Sequence, residues 1–275
     1  ITVSQLDGRL RIEDAPAELE DMVHAFNQML DRLEDSFRRL AQFSSDIAHD
    51  LRTPINNLMI ETQVTLRQQR SIPEYEALLV SNIEEYERLT RMIENMLFLA
   101  RADNAQVSIC REVMSVNLEL KRIADYFCGI AEEVGVTLDI KMQGSPQLAA
   151  DPVLLRRAIS NLVANAIQHS PRGGCVTILG HEQDGNQVVI SVSNHGSGIL
   201  PEHLPRIFDR FYRADNSRAG SRSSSGLGLA IVKSIVTLHG GDVRVESVPG
   251  GLTTFILVMP KGYAGESVDV AWPSP

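Results

Sequence analysis

The chain has 275 residues, a length that favours two or three domains over one. Its 43% hydrophobic and 22% charged residues are typical of a water-soluble protein with ordinary buried cores. The formal net charge of -9 argues against nucleic acid as a partner, because a phosphate backbone attracts a basic surface. No run approaches the roughly 18 apolar residues that a membrane span needs, and no signal peptide is recognisable. Because the chain opens on Ile1 rather than Met, we expect any transmembrane helices to lie upstream of it.

The cysteines Cys110, Cys128 and Cys175 are widely spaced and form no Cys-x-x-Cys pair. This spacing indicates small apolar fillers in a reducing compartment rather than disulfides or metal ligands. A redox or metal function is therefore not expected of them.

The first segment of the chain has the pattern of a coiled coil. Apolar side chains recur at steps of three and four, with charges between them, at Leu19, Met22, Phe26, Leu30 or Met29, Leu33, Phe37 and Leu40. Such a stripe needs a partner helix, so the pattern predicts a dimer; the alternative is one amphipathic helix packed on its own domain. The pattern continues with no stop signal through Phe43, Ile47 and Leu51. We expect this helix to end near Arg70, where Ser71-Ile72-Pro73 interrupts the pattern.

A second long helix is predicted from about residue 74 to residue 102. Its apolar stripe consists of Leu78, Leu79, Ile83, Tyr86, Leu89, Ile93, Met96, Leu97 and Ala100. Two long helices joined by a short turn form an antiparallel hairpin, and two such hairpins form a four-helix bundle.

From about Val113 onwards, helices and strands mix without strict alternation. Helices are predicted at residues 116–133, 152–169 and 227–239, with Asp151 as the N-cap of the second and Pro152 at its first position. The predicted strands are residues 136–140, 176–180, 188–193, 243–246 and 254–258. This order indicates an α+β sandwich with helices on one face of a mixed sheet, and leaves the tail after Pro260 unassigned.

The run FSSDIAHDLRTPI, residues 43–55, places a histidine beside a carboxylate on the first helix. Ile47 and Leu51 fall on the apolar stripe, whereas His49 lies off it and is expected to face solvent. A neutral imidazole nitrogen is a competent nucleophile towards a phosphoryl group, and the carboxylate of Asp50 can hold the proton of the other ring nitrogen. Taken alone, such a pair is more often a surface histidine with a neighbouring charge.

The residues that follow complete a recognisable string. Thr53 lies at i+4 from His49 and therefore on the same helix face, and Pro54 removes a backbone amide, which predicts a bend. The whole string resembles the H-[ED]-x-R-[TN]-P phosphorylation box of histidine kinases, with the matching Phe43-Ser44 upstream. The resemblance implies that His49 accepts phosphate, that Asp50 is the general base, and that Thr53 orients water when the phosphorylated partner is dephosphorylated.

Three polar side chains share one face of the helix that Asp151 opens. Asn161, Asn165 and His169 follow one another at i, i+4 and i+8. Carboxamide oxygens are suitable ligands for Mg²⁺, which otherwise keeps water and substrate phosphates. Either asparagine taken singly is more often a polar residue on a helix surface.

Two glycine-rich runs follow. The run NHGSGI, residues 194–199, comes directly after a strand, where glycines let the backbone approach a ligand. The run SGLGL, residues 225–229, precedes a helix whose free N-terminal amides suit a phosphate. Between them lie FDRFYR, residues 208–213, and a stretch at 216–225 with the composition of a flexible lid. Arg213 or Arg218 is a candidate charge-assisted donor to phosphate.

The order and spacing of these runs resemble the N, G1, F and G2 boxes of the ATP-binding domain shared by histidine kinases and gyrase/Hsp90-type ATPases, and the FDRFYR box is specific to the kinases. The resemblance implies ATP and Mg²⁺ as cofactors, with Asn161 and Asn165 as metal ligands. The implied nucleotide-binding set is Asn161, Asn165, His169, Asn194, Gly196, Gly198, Phe208, Arg213, Arg218, Gly226, Leu227 and Gly228.

Two positions depart from the family pattern. The first position of the G1 box is usually Asp, which accepts a hydrogen bond from the adenine amine; here it is Asn194, whose amide oxygen can still accept. Gln168 stands where a lysine that contacts phosphate is often found. An Asn at the G1 position resembles the heavy-metal (copper or silver) sensor branch of the family.

Residues 1–42 also resemble the second half of a HAMP relay, from Glu18-Leu19 and through FNQMLDRLE at 26–34, a module that normally follows a transmembrane helix. The expected domains are a HAMP remnant and signalling coiled coil (1–40), a dimerisation and phosphotransfer hairpin (41–104), a linker (105–115), an ATP-binding domain (116–262) and a flexible tail (263–275). This organisation implies the cytoplasmic portion of a bacterial inner-membrane protein.

The resemblance implies a homodimeric sensor histidine kinase that phosphorylates His49 from Mg-ATP and transfers the phosphoryl group to an aspartate in the receiver domain of a response regulator. It also implies that the same bundle can act as a phosphatase of that regulator. Two alternatives stay open: a degenerate kinase that serves as a scaffold, and an ATPase of the gyrase/Hsp90 class that acts by nucleotide-gated clamping.

Overall fold

The structure, a computed structural model, describes residues 20–104, 106–214 and 226–262, without the side chains of residues 20, 35–44, 46 and 49. Residues 1–19 of the HAMP-like segment, the predicted lid and the C-terminal tail lie outside these residues. The chain divides into two compact units, residues 1–90 and 91–275. In the described part of the chain, no helix is long and apolar enough to cross a membrane.

Two long helices, α1 (Glu20–Leu66) and α2 (Ile72–Asp103), are present as predicted, but the turn between them is placed differently. The helix α1 ends four residues earlier than expected, and α2 includes the Ile72-Pro73 pair that was expected to precede it. The cause lies at the start of α2, where the Glu74 carboxylate accepts hydrogen bonds from the Ser71 amide and hydroxyl, both at 2.8 Å. Proline is tolerated in the first turn of a helix, so Pro73 is accommodated at the start of α2 and does not end the helical pattern.

Among the described residues of the second unit, seven strands and three further α-helices follow α2. In chain order they are β1 (Glu112–Ser115), α3 (Val116–Glu133), β2 (Thr137–Gln143), β3 (Gln147–Ala150), α4 (Pro152–His169), β4 (Cys175–Gln183), β5 (Gln187–His195), α5 (Gly228–Leu238), β6 (Asp242–Ser247) and β7 (Leu252–Pro260). Five strands form a mixed sheet in the order β2-β4-β5-β7-β6, in which only the β2–β4 pair is parallel.

The core lies between this sheet and the helices α3, α4 and α5. Alternate positions of β4 and β7 are buried, as expected for strands that turn one face towards a core, at Val176, Ile178, Phe255, Leu257 and Met259. A Cβ on Gly180 would lie 2.9 Å from Leu120 of α3, so this helix packs closely on the face of β4 that carries these side chains. The predicted α+β sandwich is confirmed.

Two short strands were not predicted. The strands β1 and β3 pair antiparallel, with Glu112 opposite Ala150 and Ser115 opposite Gln147. Because Gln-Leu-Ala-Ala has little intrinsic strand preference, β3 depends on this distant pairing and on the burial of Leu148. The strand β1 lies in the segment that the sequence assigned to the linker.

The start of α4 is fixed as the sequence predicts. The Asp151 carboxylate caps the helix by accepting from the amides of Val153 and Leu154, at 3.0 and 3.1 Å. The backbone amide of Asp151 donates to Nε2 of the buried His239, at 3.0 Å, and Nδ1 of His239 donates to the Ile235 carbonyl, at 2.8 Å. Burial is the main cause that lowers the pKa of His239, and the ring is held neutral between the two helices α4 and α5.

The expectation that the cysteines are apolar fillers is wrong. All three are free and exposed. Cys128, for example, faces solvent from α3, where its thiol donates to Glu132 at 3.4 Å. The expectation failed because a side chain as small as that of cysteine fits a surface position as well as a core position.

Candidate nucleotide and phospho-acceptor sites

The candidate phospho-acceptor segment lies in the middle of α1. The backbone of His49 is helical, but its side chain is outside the described set, so its expected exposure stays a prediction. Asp50 is half-buried and Thr53 is exposed. The helix continues through Pro54, which is buried, and the predicted bend at this residue likewise stays a prediction.

The structure brings the asparagine-bearing face of α4 against the start of α5. The Asn161 side-chain amide donates to the Arg157 carbonyl at 2.9 Å, and its oxygen Oδ1 lies 3.2 Å from the position that a Cβ on Gly228 would take. Asn165, one turn further on, is half-buried, and within the described residues no hydrogen bond engages its side chain. Two predicted nucleotide-binding segments that are far apart in the chain are therefore neighbours.

Asn194 lies at the end of β5, opposite Thr253 of β7, and only 4% of its surface is exposed. Its Nδ2 donates to the carbonyl of His195 at 3.3 Å. Among the described residues no donor reaches Oδ1, so the side chain presents a nearly buried acceptor. An acceptor here matches what an adenine amine requires.

The structure shows why glycine is required at two positions of the 194–199 run, which the sequence did not indicate. A Cβ on Gly196 would overlap the carbonyl oxygen of His169, and one on Gly198 would overlap that of Val248. Gly198 also has a φ of 68°. These glycines allow close packing of the loop on α4 and on the β6–β7 hairpin, in addition to any approach by a ligand.

The 208–213 segment is anchored to the core and to the start of α5. Phe208 contacts Phe255 edge to face, with ring centroids 6.3 Å apart. The amide of Phe211 donates to the carbonyl of Gly226 at 3.0 Å. Arg213 is exposed, and Arg218 lies outside the described residues.

Among the described residues, no side chain caps the start of α5. Its N-cap residue is the fully buried Leu227, which makes no capping hydrogen bond, whereas α4 is capped by Asp151. The first amides of α5 are therefore suited to an anion, which the positive end of the helix dipole also favours.

These groups fit a magnesium nucleotide in their chemistry. A buried acceptor suits the base, uncapped helix amides suit the phosphates, and the amide oxygens on α4 suit a hard cation. In the part of the chain that the structure describes, no group of three or more His, Cys, Asp or Glu side chains could hold a metal ion. A cation here would therefore depend on asparagine oxygens and on the phosphates of a bound nucleotide.

Sequence reasoning missed two arginines near this site. Arg157 precedes Asn161 by one turn and donates to Oδ1 of Asn95 at 2.7 Å. Arg210, inside the 208–213 segment, donates to both oxygens of Asp103, at 2.5 and 2.6 Å. For Arg157 the one available signal was its position on the same helix face as Asn161; nothing in the sequence indicated the partners on α2.

Comparison with known protein families identifies two domains in the chain. The family described as "Histidine kinase-, DNA gyrase B-, and HSP90-like ATPase" matches residues 150–263. The family described as "His Kinase A (phospho-acceptor) domain" matches residues 39–105, which include His49. The second half of the chain is therefore an ATP-binding domain of this type.

Several proteins with similar sequences are named as sensor proteins or sensor kinases. The sensor protein IrlS of Burkholderia pseudomallei is 48% identical over 90% of this chain and 53% of its own length. The sensor histidine kinase CusS of Escherichia coli is 45% identical over 94% of this chain and 54% of its own length. The chain thus spans about half the length of the curated relatives it matches.

A solved structure has the same fold. The histidine kinase ThkA, in complex with the response regulator protein TrrA, has a TM-score of 0.67 at 20% identity, over 83% of this chain and 64% of that chain. At this identity the likeness supports the fold alone. The two family matches, in this order, and the similarity to named sensor kinases over most of the sequence show that the chain belongs to the sensor histidine kinases.

Proposed function

We propose that this chain phosphorylates its own His49 from Mg-ATP and passes the phosphoryl group to an aspartate of a response regulator. The observation that carries the proposal is the convergence of Asn161, Gly228 and the uncapped start of α5 in an ATP-binding domain that follows a phospho-acceptor domain. Such a pair of domains combines a nucleotide site with a nucleophile.

In the proposed nucleotide complex, Oδ1 of Asn194 accepts a hydrogen bond from the adenine amine. The first amides of α5 bind phosphate oxygens, and Asn161 and Asn165 supply amide oxygens to the magnesium ion. When bound, that ion offsets the negative charge on the phosphates during transfer. His169, Phe208, Arg213 and Arg218 complete the proposed binding set, of which Arg213 and Arg218 are candidate phosphate donors.

In the transfer step, a ring nitrogen of His49 attacks the terminal phosphorus. An N–P bond forms while the P–O bond to the leaving diphosphate breaks, and ADP departs with the bonding electron pair. Asp50 accepts the hydrogen bond of the other ring nitrogen, which stabilises the positive charge that develops on the imidazole. In a second step the phosphoryl group moves from His49 to the carboxylate of the regulator, and the neutral imidazole is restored.

A homodimer is proposed on the apolar surface of the first unit. Both helices there carry large apolar side chains that are 50% to 60% exposed: Ile55 and Met59 on α1, and Leu79, Ile83 and Tyr86 on α2. The predicted apolar stripe of α2 thus has exposed members within one chain. A second hairpin that packs on this surface would form the four-helix bundle expected from the sequence.

The regulator and the stimulus are further parts of the proposal. ThkA was solved with its response regulator, and a receiver domain is accordingly the partner proposed for this chain. Thr53, exposed one turn from His49, is proposed to orient water when the regulator is dephosphorylated. Asn194 at the G1 position supports a place in the metal-responsive branch. A position on the cytoplasmic side of a bacterial inner membrane stays a prediction.

Radiolabelled ATP tests the central proposal. The wild-type chain should acquire label that is lost in acid and retained in base, as expected of phosphohistidine, and His49→Ala should acquire none. His24→Ala, an exposed histidine on the same helix, is the matched control and should label normally. Label that persists in His49→Ala would refute the proposal. A wild-type chain that takes up nothing would indicate a scaffold, and release of phosphate without labelling would indicate an ATPase.

A further inference from the structure

The last turns of α2 contact the ATP-binding domain through two arginines. The guanidinium of Arg157 lies over the ring of Phe98, 4.5 Å from its centroid, and donates to Asn95 one turn earlier on α2. Nη2 of Arg210 donates to both carboxylate oxygens of Asp103, the last residue of α2. All five residues belong to the second compact unit. The end of α2 is therefore held to α4 and also to the 208–213 segment.

The Arg210 contact acts on a segment with an unfavourable backbone conformation. Phe211 has a φ of 60°, which is sterically costly for a residue with a Cβ and persists where surrounding contacts hold it. In this conformation its amide bonds the carbonyl of Gly226. Gly226, with a φ of 67°, packs so closely that a Cβ there would lie 2.8 Å from the Phe211 backbone. Two residues later, α5 begins at Gly228.

A continuous set of contacts thus joins the end of α2 to the proposed phosphate site. The Asp103 carboxylate fixes Arg210, whose neighbour Phe211 is bonded to Gly226 just before the first turn of α5, where no described side chain caps the amides. Charge-assisted hydrogen bonds are shorter and stronger than neutral ones, so this contact holds Arg210 more firmly than a single neutral hydrogen bond would. Arg210 is 28% exposed and Asp103 50% exposed, which limits the strength of the pair.

We propose that Asp103 is a positioning residue for the nucleotide site, which holds the Phe208–Phe211 turn in the conformation that presents the start of α5 to the phosphates. It contacts no nucleotide itself and acts through Arg210. The inference rests on the proposed function, because it assumes that a nucleotide binds at α5.

Titration of the full chain with ADP in a calorimeter tests this inference. Asp103→Asn keeps the size of the side chain but removes the charge, and should weaken ADP binding about two- to fivefold, the range that a partly exposed ion pair allows. Asp103→Glu, which retains a carboxylate, should restore most of the affinity. The sign is informative, because loss of a negative charge by itself would favour an anionic nucleotide.

Asp242→Asn is the matched control. It removes an exposed aspartate–arginine pair on β6, with Arg244 at 2.8 Å, and should leave ADP affinity unchanged. In the labelling assay, Asp103→Asn should raise the KM for ATP by the same factor and leave the rate at saturating ATP unaltered. A merely structural role for Asp103 would lower the melting temperature without this separation of KM from rate.

Two results would overturn the inference: Asp103→Asn that binds ADP as tightly as the wild type, or Asp103→Glu that binds as weakly as Asp103→Asn. If the wild-type chain bound no ADP, the proposed function itself would fail. Wild-type binding with no effect of Asp103 would instead refute the positioning role alone.

Discussion

Replacement of Gly198 by alanine tests whether the 194–199 loop must pack tightly on the β6–β7 hairpin. Gly198 has a φ of 68°, and an added Cβ would overlap the Val248 carbonyl oxygen and lie 2.8 Å from Cα of Pro249. A positive φ alone costs a residue with a Cβ about 1–2 kcal/mol. The overlap must in addition push the loop away from the hairpin, because both partners are backbone atoms.

The structure identifies what that movement would break. The two hydrogen bonds to the hairpin that flank Gly198 run from the Gly250 amide to the Ser197 carbonyl, at 2.7 Å, and from the Ile199 amide to Oγ of Ser247, at 2.9 Å. A third, from the Gly196 amide to the Gly251 carbonyl at 3.1 Å, lies farther along the loop. Each such hydrogen bond contributes about 1 kcal/mol. We therefore expect Gly198→Ala to destabilise the second unit by about 3–4 kcal/mol in total.

Gly250→Ala separates the two causes. Gly250 has a φ of 71°, close to that of Gly198, but nothing lies within 4 Å of the Cβ that alanine would add. This variant should lose only the conformational cost, about 1–2 kcal/mol.

Calorimetric unfolding of the full chain with and without ADP measures both variants, since the transition that ADP raises belongs to the nucleotide-binding unit. Gly198→Ala should also bind ADP at least about tenfold more weakly, because displacement of the loop moves the backbone next to Asn194, and tenfold corresponds to about 1.4 kcal/mol. Equal losses of stability in Gly198→Ala and Gly250→Ala would refute the reasoning from the overlap.

Four further predictions concern the proposed site and its support. Asn194→Asp should keep the kinase active and tighten ADP binding by at most about fivefold, because a charged hydrogen bond is stronger than a neutral one by about that factor in affinity. Asn194→Ala should lose binding severely. Calorimetry with ADP compares the two variants with the wild type. Asn165→Asp should alter the Mg²⁺ dependence of labelling more than the affinity for a fluorescent nucleotide. An unaltered Mg²⁺ dependence would show that Asn165 has a structural role and is not a metal ligand. Thr53→Ala should spare autophosphorylation and slow dephosphorylation of the regulator, so equal losses of both would contradict the assignment. Burial lowers the pKa of His239, so the neutral ring should contribute fully to the free energy of unfolding above the unfolded-state pKa of about 6.5. That contribution should be lost as the pH falls from there to the folded-state pKa. Unfolding measured at several pH values should show a smaller loss of stability in His239→Gln than in the wild type.

Much of the fold could be predicted because its signals are local. The bounds of α4 agree with the prediction since Asp151 and Pro152 mark its start by capping and by proline at the first position. The start of α2 was placed two residues late because Pro73 was interpreted as a breaker, although Ser71 and Glu74 make it part of a helix start. The strands β1 and β3 were missed because they depend on each other.

The contacts around the nucleotide site that were missed are non-local. Asp103 and Arg210 are 107 residues apart in the chain, Asn95 and Arg157 are 62 apart, and Asp151 and His239 are 88 apart. No periodicity or motif relates such pairs, so only the three-dimensional structure identifies them. Residues within motifs, in contrast, could be named from the sequence because their spacing along one helix or loop is itself the signal.

The two outer strands of the large sheet have a consequence for strand-mediated contacts between molecules. Among the described residues, the strands β2 and β6 each have one side without a neighbouring strand in that sheet, and unpaired backbone groups at such an edge can recruit another chain. Charged side chains occupy exposed positions on both strands, at Asp139 and Lys141 on β2 and at Asp242, Arg244 and Glu246 on β6. Charged edges resist continuation of the sheet into a second molecule, which protects the domain from strand-mediated aggregation. The proposed homodimer would therefore form through helices, which carry most of the exposed large apolar side chains of the described residues.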